Sequence, residues 1–155
     1  MDNIGEVLFL AKCMELDLLV SRPYAPCKYD FIVDNSEILY RVQVKMIGST
    51  RPTKKGNVYV GKIGSGRSSK STYTKKEIDV LAILCYPVNI WYIIPIEEAG
   101  NIVSMYFYPH RTMLGDLSSG KHEKLFNKWI NLHNRPSRND NTKEVQSSKT
   151  QNIQS

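Results

Sequence analysis

Three features of the 155-residue sequence predict an α/β fold. Apolar residues recur at helical spacing near the start. The middle holds a succession of short β-prone segments, some alternating and some continuously apolar. A second stretch at helical spacing lies near residue 130. Hydrophobic residues make up 41% of the chain, enough for a core, and the length fits one domain. The sequence predicts that domain over residues 1–133. A disordered polar tail is expected over 134–155, where Val145 and Ile153 are the only aliphatic residues.

The opening helix is expected over residues 3–18, where Ile4, Val7, Leu8, Ala11, Met14 and Leu18 repeat at spacings of three and four. Phe9, Leu10 and Cys13 widen its apolar surface, so cover on more than one side is expected. "LLVSRP" is a short strand ended by Pro23. "YDFIVD" alternates, with Asp30, Ile32 and Asp34 on one side and Phe31 and Val33 on the other. "NSE" is a turn. "ILYRVQVKM" is a strand whose Tyr40, Val42, Val44 and Met46 share one face and whose Arg41, Gln43 and Lys45 share the other. Short connections make these strands antiparallel neighbours. "NVYVGKI" is a candidate strand inside a Gly-, Ser- and Lys-rich segment that suits a flexible basic hairpin. "YTKKEI" suits a single helical turn. "DVLAILCY" and "NIWYIIPI" are strands joined by a turn at "PV", and "SMYFYPHRT" is an edge strand. "GKHEKLFNKWINLH" is expected to be one helix carrying Leu125, Trp129 and Leu132.

The charge is +6, with a pI near 9.2. Its placement says more than its sum. Arg51, Lys54, Lys55, Lys62, Arg67, Lys70, Lys75 and Lys76 fall together with Glu77 as the only acid, so this span alone carries about +7. A polyanionic partner fits that patch better than a merely solvated loop does. No apolar run is long enough to cross a bilayer, and the start does not read as a signal peptide. Three cysteines, without C-x-x-C spacing, predict reduced thiols in an intracellular protein and speak against zinc.

Three polar elements stand out from this apolar framework. Glu6 is a carboxylate inside an almost wholly apolar helix, a costly position unless it is paired or near a metal. Asp30 begins a strand, where aspartate is disfavoured. Gln43 and Lys45 lie one hairpin later, on one strand face with the Val44 carbonyl between them. A divalent ion on such oxygen ligands activates water against a phosphodiester, and a nearby lysine orients that water and stabilises charge. Taken alone, Gln43 and Lys45 suit a wet strand face. Their order after Glu6 and Asp30 favours a site.

"NIGEVLFLAKCMEL", "YDFIVD", "RVQVK" and "YTKKEIDVLAIL…IWYIIPIEE" resemble the PD-(D/E)XK endonuclease superfamily, over roughly residues 3 to 98. Within it they are most similar to the branch of cyanobacterial homing endonucleases encoded in group I introns. The resemblance implies a nuclease core with a central mixed β-sheet flanked by helices, here with a basic β-hairpin insertion. It implies that Asp30 binds the metal and Lys45 is the catalytic lysine. Glu6 matches the acid of the first helix. Gln43 stands where the family usually has Asp or Glu, and it departs from that pattern by adding no charge. Asp30, Val44 and Gln43 would hold Mg²⁺ or Mn²⁺. The expected substrate is double-stranded DNA, gripped by the basic span from Arg51 to Lys76. Cutting both strands with so small a chain calls for a homo-oligomer, a dimer or tetramer, with the aromatic C-terminal third as its interface.

Two other functions remain in view: a restriction-type or junction-resolving nuclease on the same core, and a DNA-binding module that has lost cleavage through Gln43. Glu15, nine residues from Glu6, faces the other side of the helix. Asp34 suits the turn beside it. His110, His122 and His133 lack ligand spacing and are expected at the surface. Trp91, Tyr92, Tyr106, Phe107 and Tyr108 suit core or subunit interface better than base stacking.

Overall fold

A computed structural model describes residues 4–54, 56–64 and 71–133. Lys55, Arg67, Lys70 and the expected tail, 134–155, lie outside the described residues. The chain begins with α1 (Ile4–Glu15), followed by β1 (Leu19–Ser21), β2 (Phe31–Asp34) and β3 (Leu39–Ile47). β4 (Thr50–Thr53) and β5 (Gly56–Lys62) come next, then β6 (Val80–Cys85) and β7 (Ile90–Pro95). α2 (Ile96–Ala99), β8 (Ser104–Phe107), α3 (Pro109–Met113) and α4 (Ile130–His133) complete the described chain.

The strands form a five-stranded sheet in the order β1-β2-β3-β6-β7 and a three-stranded sheet in the order β4-β5-β8. The larger sheet is mixed. β1, β2 and β3 are antiparallel neighbours, β1 and β2 joined by the loop over residues 22–30 and β2 and β3 by a short turn, whereas β3 and β6 run parallel with Gln43 opposite Leu81 and Lys45 opposite Ile83. A parallel pair needs a long crossover. Among the described residues, this crossover contains the β4–β5 hairpin. β5 also pairs with β8, so β4 and β5 form part of a three-stranded sheet and are not a free flap. Pro52 lies in β4, an edge strand, where its missing N–H is harmless.

β6 shows why the larger sheet is central. All six of its residues are buried. Val80, Ala82 and Leu84 pack with Phe9, Cys13, Val42, Val44, Trp91 and Trp129 on one face. Leu81, Ile83 and Cys85 pack with Tyr59, Ile63, Tyr92, Ile94 and Phe107 on the other. A strand covered on both sides reads as a continuous apolar run, as this one does.

Two helical expectations need correcting. α1 stops at Glu15 because Asp17 turns left-handed (φ 54°), and the Leu18 N–H closes back on the Cys13 carbonyl at 3.0 Å. Leu18 is buried through that turn. The single helix expected over "GKHEKLFNKWINLH" is broken. A 3₁₀ turn covers Glu123–Leu125, and Phe126 bridges to Tyr92. Asn127 takes φ 48°, donates its N–H to the Trp91 carbonyl at 2.7 Å and accepts the Trp91 N–H on its side chain. The open edge of β7 thus captures the segment. Leu125 and Trp129 enter opposite cores, which one continuous helix face would not allow.

Candidate active site

β3 joins the groups singled out in the sequence. Tyr40, Val42 and Val44 are buried beneath α1 as the alternation requires, while Met46 is exposed. The opposite face divides in two. Arg41 is structural: its guanidinium donates to both oxygens of Asp79 at 2.9 Å and to the carbonyls of Lys75 and Lys76. Burial pushes the Asp79 carboxyl up, but the hydrogen bonds from Arg41 outweigh it and hold the carboxyl below its usual range.

Gln43 and Lys45 belong to Asp30. That residue precedes β2, and its N–H reaches the Val42 carbonyl at 2.9 Å, which sets it beside β3. Asp30 Oδ2 accepts the Val44 N–H at 2.8 Å and the side-chain N–H of Gln43. Gln43 Nε2 also donates to the Val44 carbonyl at 3.1 Å. Gln43 is only 8% exposed, although it lies on the polar face. Burial raises the Asp30 pKa, against opposing pulls from the Val44 N–H, Lys45, Arg22 and Gln43.

Glu6 and Asp30 line one cleft of about 290 Å³, floored by the loop from Arg22 to Tyr29. Glu6 is ion-paired, as its apolar setting demands: Arg22 meets it at 3.0 Å and also lies 4.8 Å from the Phe31 ring centre. Arg22 is the site residue the sequence did not reveal. Its partner is sixteen positions away, and no local pattern links them. A second groove, of about 330 Å³ beside Trp91 and Trp129, has Lys12 and Glu15 on its rim, bonded to each other at 2.8 Å. It offers no comparable set of convergent groups.

The donor set fits a hard divalent ion. One nitrogen touches both the Asp30 carboxylate and the Val44 carbonyl, so these oxygens converge on a common point. Oxygen donors suit Mg²⁺ or Mn²⁺. Among the described residues no group of three His, Cys, Asp or Glu is placed to hold a metal. An ion held here would have few protein ligands.

The other candidates disperse. Arg51 on β4, Lys54 in the turn after it and Lys62 on β5 are exposed. Lys75 is ion-paired to Glu97, and Lys76 is exposed. Asp34 caps its turn, accepting the Ser36 N–H at 2.7 Å. His110 and His133 are exposed, but His122 is buried, contrary to expectation. Beside it Glu123, fully buried, accepts from Tyr92 Oη at 2.6 Å, the Tyr108 N–H at 2.8 Å and the Thr112 hydroxyl. Trp91, Tyr92 and Phe107 are core, whereas Tyr106 is half exposed. No helix among the described residues is long and apolar enough to cross a membrane.

A family model described as PD-(D/E)XK endonuclease matches residues 2–111. Among solved structures, the bacterial homing endonuclease I-Ssp6803I is similar at 19% identity, with a TM-score of 0.57 over 68% of this chain and 74% of that one. That likeness is one of fold. No curated protein matches.

Proposed function

The chain belongs to the PD-(D/E)XK endonuclease family, and from that premise we propose that it cuts double-stranded DNA with a divalent ion, Mg²⁺ first, at the Asp30 cleft. The observation that carries this reading is the convergence of the Asp30 carboxylate and the Val44 carbonyl on one point, with Lys45 on the same strand face and Glu6 in the same cleft.

The ion, when bound, polarises the scissile phosphate and lowers the pKa of attached water. Asp30 and the Val44 carbonyl would hold it, with Gln43 assisting. Lys45 orients the attacking water and offsets the negative charge that grows on the phosphate. Arg22, held by Glu6 at the cleft mouth, presents a planar donor to backbone phosphate. Arg51, Lys54 and Lys62 extend the contact along the duplex. Cutting both strands takes two such sites, so the working form is a symmetric oligomer. A homing role, the one named for I-Ssp6803I, is included in the proposal. Finding an intron around the gene would support it, and finding a partner methyltransferase gene would point to restriction instead.

The direct test is plasmid cleavage with and without Mg²⁺. Lys45→Ala is expected to lower the rate by about a hundredfold or more while leaving DNA affinity nearly unchanged, because the lysine acts on the transition state. Cutting by Lys45→Ala at the wild-type rate places the chemistry elsewhere. The neutral Gln43 amide favours one second reading, a binding-only module. Tight binding by the wild type with no cutting at any Mg²⁺ or Mn²⁺ concentration establishes that reading.

A further inference from the structure

Gln43 does more than stand in a carboxylate's position. Its side chain is buried, and its amide nitrogen contacts Asp30 Oδ2 and the Val44 carbonyl together. A carbonyl oxygen carries no proton, and neither does an ionised carboxylate. The end of the amide between them must therefore be the NH₂ end, whichever way the group is drawn. That nitrogen lies where an ion using both oxygens would lie.

We propose that the Gln43 carboxamide is a latch: in the DNA-free protein its NH₂ takes the place of the cation, and the ion enters only when the amide swings away or turns its oxygen inward. This rests on the reading of Asp30 and Val44 as the ion site. The physical case is one of satisfaction. Asp30 is half-buried, and desolvation opposes its charge. The Val44 N–H and the Gln43 NH₂ both donate to its Oδ2, so its charge is partly satisfied without metal. A glutamate at 43 has no proton to donate when ionised and repels Asp30, leaving a site that needs its ion. Glutamine thus ties loading to DNA, whose phosphate brings the further oxygen and charge that the protein withholds. The free enzyme is kept from cutting off its target.

The experiment uses the full ¹⁵N-labelled chain. The Gln43 side-chain NH₂ pair is assigned by its loss in Gln43→Glu. In ion-free wild type it is expected to exchange with water at least tenfold more slowly than surface glutamine amides. Titration with Ca²⁺ alone is expected to leave the pair protected, and Ca²⁺ together with a DNA duplex is expected to move it and abolish its protection in step with the Val44 amide. Asp30→Ala should release it without any ion. A Gln43 pair that exchanges freely in ion-free wild type overturns the latch. So does a pair that stays protected after the Val44 amide has reached its ion-saturated position. Plasmid cleavage measured alongside separates the two failures. Mg²⁺-dependent cutting with an unprotected Gln43 overturns the latch alone. Absence of both cutting and ion-induced shifts overturns the ion site and the latch with it.

Discussion

Asp30 shows how a functional group is held against its own solvation. Burial raises its pKa above the ordinary carboxylate value, and the neighbouring donors only partly restore its charge. A carboxyl whose folded pKa is raised takes up its proton more readily when folded. Its ionised form therefore weakens folding above that pKa, and the penalty fades as pH falls through it. Asp30→Asn should accordingly raise the melting temperature at pH 7, and the gain should shrink as pH is lowered through the raised pKa. Thermal melts of both proteins across that range check this. A variant less stable than wild type at pH 7 would mean that the donors around Asp30 outweigh its burial. Glu6 solves the same problem differently, by pairing with Arg22. Gln43 is the exception on the polar face, because its amide satisfies two acceptors that water would otherwise reach.

At the scale of elements, the Arg41–Asp79 tether fixes where β6 begins. The Arg41 N–H reaches Asp79 Oδ2 at 2.8 Å, and the Asp79 N–H returns to the Arg41 carbonyl at 2.8 Å. This exchange fixes the parallel register that puts Val42 opposite Val80. Asp79→Ala leaves a half-buried guanidinium short of acceptors and should cost about 1.5–3 kcal/mol at neutral pH. Since Arg41 holds the folded carboxyl below its usual range, wild-type stability from this pair is present above the unfolded pKa, roughly 3.9, and is lost as pH falls through the lower folded value. The gap between Asp79→Ala and wild type should close over that acidic window. Urea melts of both proteins at pH 7 and at a series of lower pH values measure the gap and its closing. The C-terminal segment depends on a different anchor. Tyr92 Oη, the Tyr108 N–H and the Thr112 hydroxyl all donate to buried Glu123, joining β7, β8 and α3 to the segment that caps the β7 edge. Glu123→Ala orphans the Tyr92 hydroxyl and the Tyr108 N–H, while the Thr112 hydroxyl keeps the Tyr108 carbonyl at 3.1 Å, and should destabilise by about 1–3 kcal/mol for each of the two donors left unsatisfied. Glu123→Gln should lose less. Comparing the two melting curves decides whether the carboxylate or only its acceptor oxygen matters.

Across the whole molecule, the sheet divides the work. One face packs under α1 through Phe9, Phe31, Trp91 and Trp129, whose rings lie within 5.5 to 5.8 Å of Phe9 or of each other. The other face packs the smaller sheet against β6 and β7 and carries Gln43 and Lys45 on β3. The basic charge on the smaller sheet is exposed at Arg51, Lys54 and Lys62. If Arg51 and Lys54 contact phosphate, neutralising both should reduce the slope of log affinity against log salt by about two units and weaken binding to every sequence alike. Fluorescence anisotropy at several salt concentrations measures the slope. An unchanged slope assigns the DNA surface to another part of the chain.

Local pattern by itself determined α1, the β1–β3 meander, the two apolar strands at 80–85 and 90–95 and the candidacy of Glu6, Asp30, Gln43 and Lys45. Each of these rests on residues a few positions apart: period-2 alternation in "YRVQVKM", a short turn at "NSE", a misplaced aspartate before "FIVD". Tertiary structure decided what depends on partners far along the chain. It separated Arg41, bonded 38 residues away to Asp79, from Gln43 and Lys45 on the same strand face. It joined Arg22 to Glu6, buried His122 and Glu123, and broke the last helix on the edge of β7. Helical spacing at Leu125, Trp129 and Leu132 was real but weak. A short helix gains little on its own, whereas an open strand edge offers hydrogen bonds that Asn127 can complete only by leaving the helix.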